Sequence, residues 1–202
     1  MNTPVKQYTE IRLGEGVRAF RLGNLARDGR QIRVEFAGGA RTAEVTAREA
    51  KFLLDTSPAR PLIAPSHAVT EMLGRMCISG AMTLLPLDVE LHHFANIMPV
   101  PHGILDVLSV APAGYQVATS TGTVFQLSET GMRLHRTAYN GLSLPEMAAA
   151  VQRDYLYEPG TRDTVQQVLD AQEITLDELL ALELVEYCGA TLLSGANHFE
   201  VA

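Results

Sequence analysis

A chain of 202 residues with 47% hydrophobic and 19% charged residues can build a core, as one large domain or two small ones, and is not a disordered tail. Its formal charge of −7 argues against nonspecific attraction to a polyphosphate backbone. Cys77 and Cys188 form no CxxC pair and read as reduced, buried thiols; with no apolar signal core in MNTPVKQYTEIRLGEG and no apolar stretch long enough to span a bilayer, the expectation is a soluble, cytoplasmic protein without membrane contact.

Residues 1–16 form a polar arm. Val17 to Leu25 supplies a first strand, Asp28-Gly29 a hairpin signal, and Gln31 to Ala37 a second strand with Ile32, Val34 and Phe36 on one face. Gly38-Gly39 turns the chain into a third strand, Arg41 to Val45. Thr46-Ala-Arg-Glu49 is a capping box, since a threonine hydroxyl and a glutamate three residues later can satisfy each other's orphan N–H groups; it opens a helix to about Asp55. After the proline-rich break between Pro58 and Pro65, Ser66 caps a helix carrying Val69, Met72, Leu73 and Met76. Leu84 to Pro101 has three prolines and no long period, and reads as a connector with one strand at Val89 to Phe94.

The same order then returns. Ile104 to Val110, Tyr115 to Thr119 and Thr123 to Leu127 are strands, separated by turns at Ala113-Gly114 and Thr121-Gly122. In the third, Val124 and Gln126 share one face and Thr123, Phe125 and Leu127 the other. Ser128 is the N-cap of a helix from Glu129 to about Tyr139, ended by Asn140-Gly141. Ser143-Leu-Pro-Glu146 is a second capping box, with Leu144, Met147, Ala148, Val151 and Tyr155 on one helical face. Thr161 to Ala171 is a further helix with Val165, Val168 and Leu169 apolar; Thr175-Leu-Asp-Glu178 caps the last, with Leu176, Leu179, Leu180 and Leu184. The tail from Ser194 to Ala202 reads as frayed. AEVTAREAKFLL aligns with FQLSETGMRLHR, Thr46 opposite Ser128, so the chain reads as two copies of one unit. The expected fold is α+β, two small winged-helix-like modules, each a three-stranded antiparallel sheet followed by helices: an arm 1–16, a first module 17–90, a connector 91–102 and a second module 103–202.

Chemistry is harder to find. His92, His93 and His102 lie near Asp88, Glu90 and Asp106, but adjacent histidines on a strand face opposite ways and no HExxH or Cys/His spacing accompanies them, so no metal site is expected. There is no GxSxG elbow, neither cysteine has a local histidine, and Gly14-Glu-Gly16 and Gly38-Gly39 lack a phosphate-loop pattern; no catalytic residue is expected. Strand edges are the better candidates. A three-stranded meander leaves an edge whose N–H and C=O groups accept an extended peptide, unless the other half or another subunit covers it. The first such edge is Ala40, Arg41, Thr42, Ala43, Glu44 and Val45; the alternative is Thr123, Val124, Phe125, Gln126 and Leu127. A winged-helix DNA regulator using Arg75, Arg133 and Arg136 is the rival, disfavoured by net charge and by helices poor in Lys, Arg, Asn and Gln. A composite enzyme site built from scattered residues is a third possibility.

The string Leu127-Ser-Glu-Thr-Gly131, between a hairpin strand and a helix that leads through a glycine turn to the Ser143-Leu-Pro-Glu146 start, resembles the PqqD-like RiPP recognition elements over about Gly103 to Leu193. The first half is similar in strand, cap and helix order without the string. The departure is Tyr155 to Thr175, an added loop and helix where the family has one closing helix. The resemblance implies winged-helix modules that bind the leader of a ribosomally made precursor peptide as an added strand and present it to a modifying enzyme. By size and two-part architecture, rather than by motif, the chain also resembles the accessory subunits of methanobactin biosynthesis. That likeness implies a heterodimer with an iron-dependent oxidase that converts precursor cysteines to oxazolone and thioamide groups. The iron and the active site then belong to the partner, this chain has no cofactor of its own and binds no nucleic acid, and its negative charge suits a basic leader.

Overall fold

Capping residues set the helical skeleton. In the computed structural model, which describes residues 16–29, 31–35, 42–95, 97–100, 106–111, 114–118, 124–158, 160–190 and 192–195, Thr46 accepts from the Glu49 N–H at 3.2 Å while Glu49 accepts from the Thr46 N–H at 2.8 Å. This reciprocal pair opens α1 (Ala47–Asp55). Glu49 also takes the guanidinium of Arg75 from α2 (His67–Ser79), so one carboxylate caps α1 and ties α2 to it. Ser66 precedes α2 as expected but makes no side-chain cap bond.

The first half holds β1 (Arg18–Arg21), β2 (Asn24–Asp28), β3 (Gln31–Glu35), β4 (Thr42–Val45) and β5 (Met82–Leu85). The single strand expected from Val17 to Leu25 is two. Gly23, at φ +74°, turns the chain, and a Cβ there would collide with the Glu35 carbonyl and the Val34 side chain. β2, β3 and β4 then form the expected antiparallel meander, with Val34 between Leu25 and Ala43. β1 pairs instead with β5, Phe20 opposite Thr83, at the start of the stretch expected to be a connector.

That connector differs again further on. Leu91–Phe94, within the predicted strand Val89 to Phe94, is a 3-10 helix, because the Glu90 N–H is captured by His93 Nδ1 at 3.0 Å and the His93 N–H by the Glu90 carbonyl at 3.0 Å. Phe94 is thereby buried edge-on against Phe20, ring centroids 5.9 Å apart. The strand lies later, at β6 (Ile97–Val100), and its antiparallel partner is β10 (Leu192–Gly195), so Ser194 and Gly195 are ordered in a ladder rather than frayed.

In the second half β7 (Asp106–Ala111), β8 (Gly114–Ala118) and β9 (Val124–Leu127) form another antiparallel meander, with a bulge between Val107 and Ser109. Gly114, expected in a turn, opens β8. Its φ is +128°, and a Cβ would run into the carbonyl oxygen of Leu127, so the hairpin end packs backbone to backbone against the β9–α3 junction. Four helices follow: α3 (Glu129–Ala138), α4 (Leu144–Tyr157), α5 (Thr161–Gln172) and α6 (Leu176–Ala190). Both predicted boxes form, with the Ser143 N–H on Glu146 at 2.8 Å and the Thr175 N–H on Glu178 at 2.7 Å. The architecture is mixed α+β with small antiparallel sheets, and one contiguous core runs through both halves, from Phe20 and Met82 through Phe94 to Met147 and Leu184. No described helix is long and apolar enough to cross a membrane.

Candidate functional site

Both predicted edges are outer strands of their meanders. Along β4, Thr42 and Glu44 are exposed and Ala43 and Val45 buried; its only ladder partner among the described residues is β3. Ala40 and Arg41 lie outside the described residues. Along β9, Val124 and Gln126 are exposed, Phe125 is half-buried and Leu127 buried, and the ladder partner is β8. Thr123 is outside the described residues.

A third feature has no counterpart in the sequence reading. The end of the β7–β8 hairpin, the N-terminus of α3, Tyr155 of α4, and residues of α5 and α6 line an open cavity of about 410 Å³. The Ser128 hydroxyl, as N-cap of α3, accepts from the Gly131 N–H at 2.8 Å and donates to Glu183 of α6 at 2.6 Å. Tyr115 donates to Glu129, which also takes Arg133 at 3.1 Å; Arg133 reaches Glu158 at 2.9 Å and lies 5.4 Å over the Tyr155 ring. The Tyr155 and Thr130 hydroxyls bond each other. Val110, Ala111, Val165, Val168 and Leu179 supply apolar wall. Burial pushes the Glu183 carboxyl above its ordinary range and nearby Glu186 adds to this, against the Ser128 hydrogen bond. Burial likewise raises Tyr155, and the Glu129 carboxylate raises Tyr115.

Ser128 was legible as a cap, but its link to Glu183 spans 55 residues and leaves no local signal. The wall contributed by α5 lies within Tyr155 to Thr175.

Elsewhere, the His92 and His93 rings lie 4.1 Å apart on the 3-10 helix rather than on opposite strand faces. His92 meets Glu90 at 3.1 Å, His102 is outside the described residues, and no described group of His, Cys, Asp and Glu could hold a metal ion. Burial pushes the Cys77 thiol up to about 11 and Cys188 higher still, which leaves little thiolate for nucleophilic chemistry. Of the arginines considered for DNA, Arg75 is paired with Glu49 and Arg133 with Glu129 and Glu158, whereas Arg136 is exposed. No protein-family model, curated protein or solved structure matches the chain.

Proposed function

We propose that the chain is a non-catalytic recognition subunit that binds an extended precursor peptide by strand addition and docks the enzyme that modifies it. The observation that carries this reading is the outer edge of β4, whose side chains alternate exposed and buried beside a backbone rim that no described strand pairs with. Added backbone hydrogen bonds supply affinity there, and alternate side chains supply selectivity. The engagement of Arg75 and Arg133 in ion pairs makes the DNA-regulator reading weaker still.

Each half is read as a winged-helix-like module, the first holding the leader and the second the enzyme. The leader-binding role is supported by the LSETG resemblance, and the finer assignment, an accessory subunit to an iron-dependent oxidase of the methanobactin type, by size and two-part architecture alone. The test is an isotope-edited NMR titration of the whole chain with a panel of short basic peptides, and with the same peptides N-methylated at alternate residues. Saturable shifts along Thr42–Val45 that vanish on N-methylation are expected. Equal binding of the methylated peptides, or shifts confined to β9, would remove strand addition at β4.

A further inference from the structure

The cavity beside α3 is amphiphilic in a particular way. Among the described residues its lining includes two carboxylates, Glu129 and Glu183, and no lysine, arginine or histidine. The Glu129 charge is shared with Arg133. Glu183, half-buried, accepts from Ser128, and no described basic side chain pairs with it. A partly desolvated carboxylate without a counter-ion is costly, and a cation entering the cavity relieves that cost.

The walls define what carries the cation. Val165, Val168 and Leu179 are apolar, while the Thr130 and Tyr155 hydroxyls stand with Glu183. Such a lining suits a methylene stem with a charged tip. Ser128 takes one position on a Glu183 oxygen, and the remaining carboxylate positions with the neighbouring hydroxyls offer the several acceptors that a compact ammonium with three donors requires. Val110, 69% exposed, and Val168, 38% exposed, form an accessible apolar rim. Val110 lies on β7, the outer strand of the second meander, so a chain segment passing that edge can reach the cavity.

We propose that this cavity is a binding pocket for a lysine side chain, with Glu183 as the ammonium partner and α5 as the wall along the stem. Its assignment to a lysine of the precursor rests on the peptide-binding reading above; the pocket's chemistry does not.

The experiment uses the isotope-labelled full chain, with Nα-acetyl-lysine N-methylamide as probe and the norleucine analogue, which has the stem without the charge, as control. The lysine probe is expected to saturate at roughly millimolar concentration, shifting amides of Ser128–Gly131 and Thr161–Val168, with the norleucine probe at least about tenfold weaker. Glu183→Gln keeps an acceptor for Ser128 and should weaken the lysine probe by about tenfold or more. Val168→Trp, at an exposed rim position, fills the cavity and should block the probe without disturbing the fold. Equal affinity for the two probes, unaltered binding by Glu183→Gln, or no saturation overturns the pocket. The two proposals fail separately: a chain that takes the lysine probe but no extended peptide loses the recognition role, and one that takes the peptide along β4 with none of these lysine effects loses the pocket.

Discussion

The hydroxyl of Ser128 receives the Gly131 N–H at 2.8 Å and hands its own proton to Glu183 at 2.6 Å, so the cap of α3 is also its fastening to α6. Replacing Ser128 by alanine removes both bonds and should lower the unfolding free energy by about 1–2 kcal/mol in urea denaturation, with Ser128→Thr recovering part of the loss. An alanine variant as stable as the parent would mean that the cap is supplied by solvent.

Gly114 and Gly74 should respond oppositely to alanine. At Gly114 the positive φ and the Leu127 carbonyl both oppose a side chain, so Gly114→Ala should cost about 2 kcal/mol or more. Gly74 sits inside α2 with open space where a Cβ would go, so Gly74→Ala should add about 0.5–1 kcal/mol. Thermal melts of the two variants shifting in the same direction would contradict this packing of the hairpin end.

Acid sensitivity should trace in part to Glu49. Burial pushes its carboxyl up, but the Thr46 N–H and hydroxyl and Arg75 together outweigh this and hold it below the ordinary value. A depressed folded-state pKa means that this contribution is complete above the unfolded-state value, about 4.3, and is lost as pH falls through the folded-state value. Glu49→Gln should therefore lower stability at neutral pH and flatten its decline below about pH 5. An unchanged acid limb in equilibrium unfolding would show that Glu49 titrates normally.

His135 acts in the same pH direction. It is buried beside Tyr187 and Tyr139, and burial, with Arg136 adding, holds its pKa below the ordinary value. Its neutral form is the one favoured in the fold, so stability should fall as pH drops below about 6.5 and level off below the folded-state pKa. An NMR titration placing the ring at or above the free-histidine value would refute it.

Both thiols should be slow. With Cys77 raised to about 11 and Cys188 buried, Ellman's reagent at pH 8 should label neither promptly, and both should react once urea unfolds the chain.

Local signals are legible in the sequence because their physics is local. Thr46, Ser143 and Thr175 each find their glutamate partner three residues on, so the starts of α1, α4 and α6 follow from neighbouring residues. The break at Gly23 depends instead on the approach of Glu35, and the strands β5 and β6 exist because Arg18 and Gly195, far away in sequence, pair with Leu85 and Ile97. Four residues without strict alternation carry no pattern that announces a strand. The cavity was hidden for the same reason: Glu183 reads as one polar residue on a leucine-rich helix until Ser128 is brought to it.

The pairing of β6 with β10, and the placement of β1 beside β10, bear on how the chain emerges from the ribosome. An N-terminal half usually folds while the rest is still being made. Here Phe20 and Phe94 share one core with Leu180 and Leu184 of α6, so the nascent chain should carry open apolar surface until that helix is released. A premature stop before α6 should yield aggregate rather than a smaller working protein.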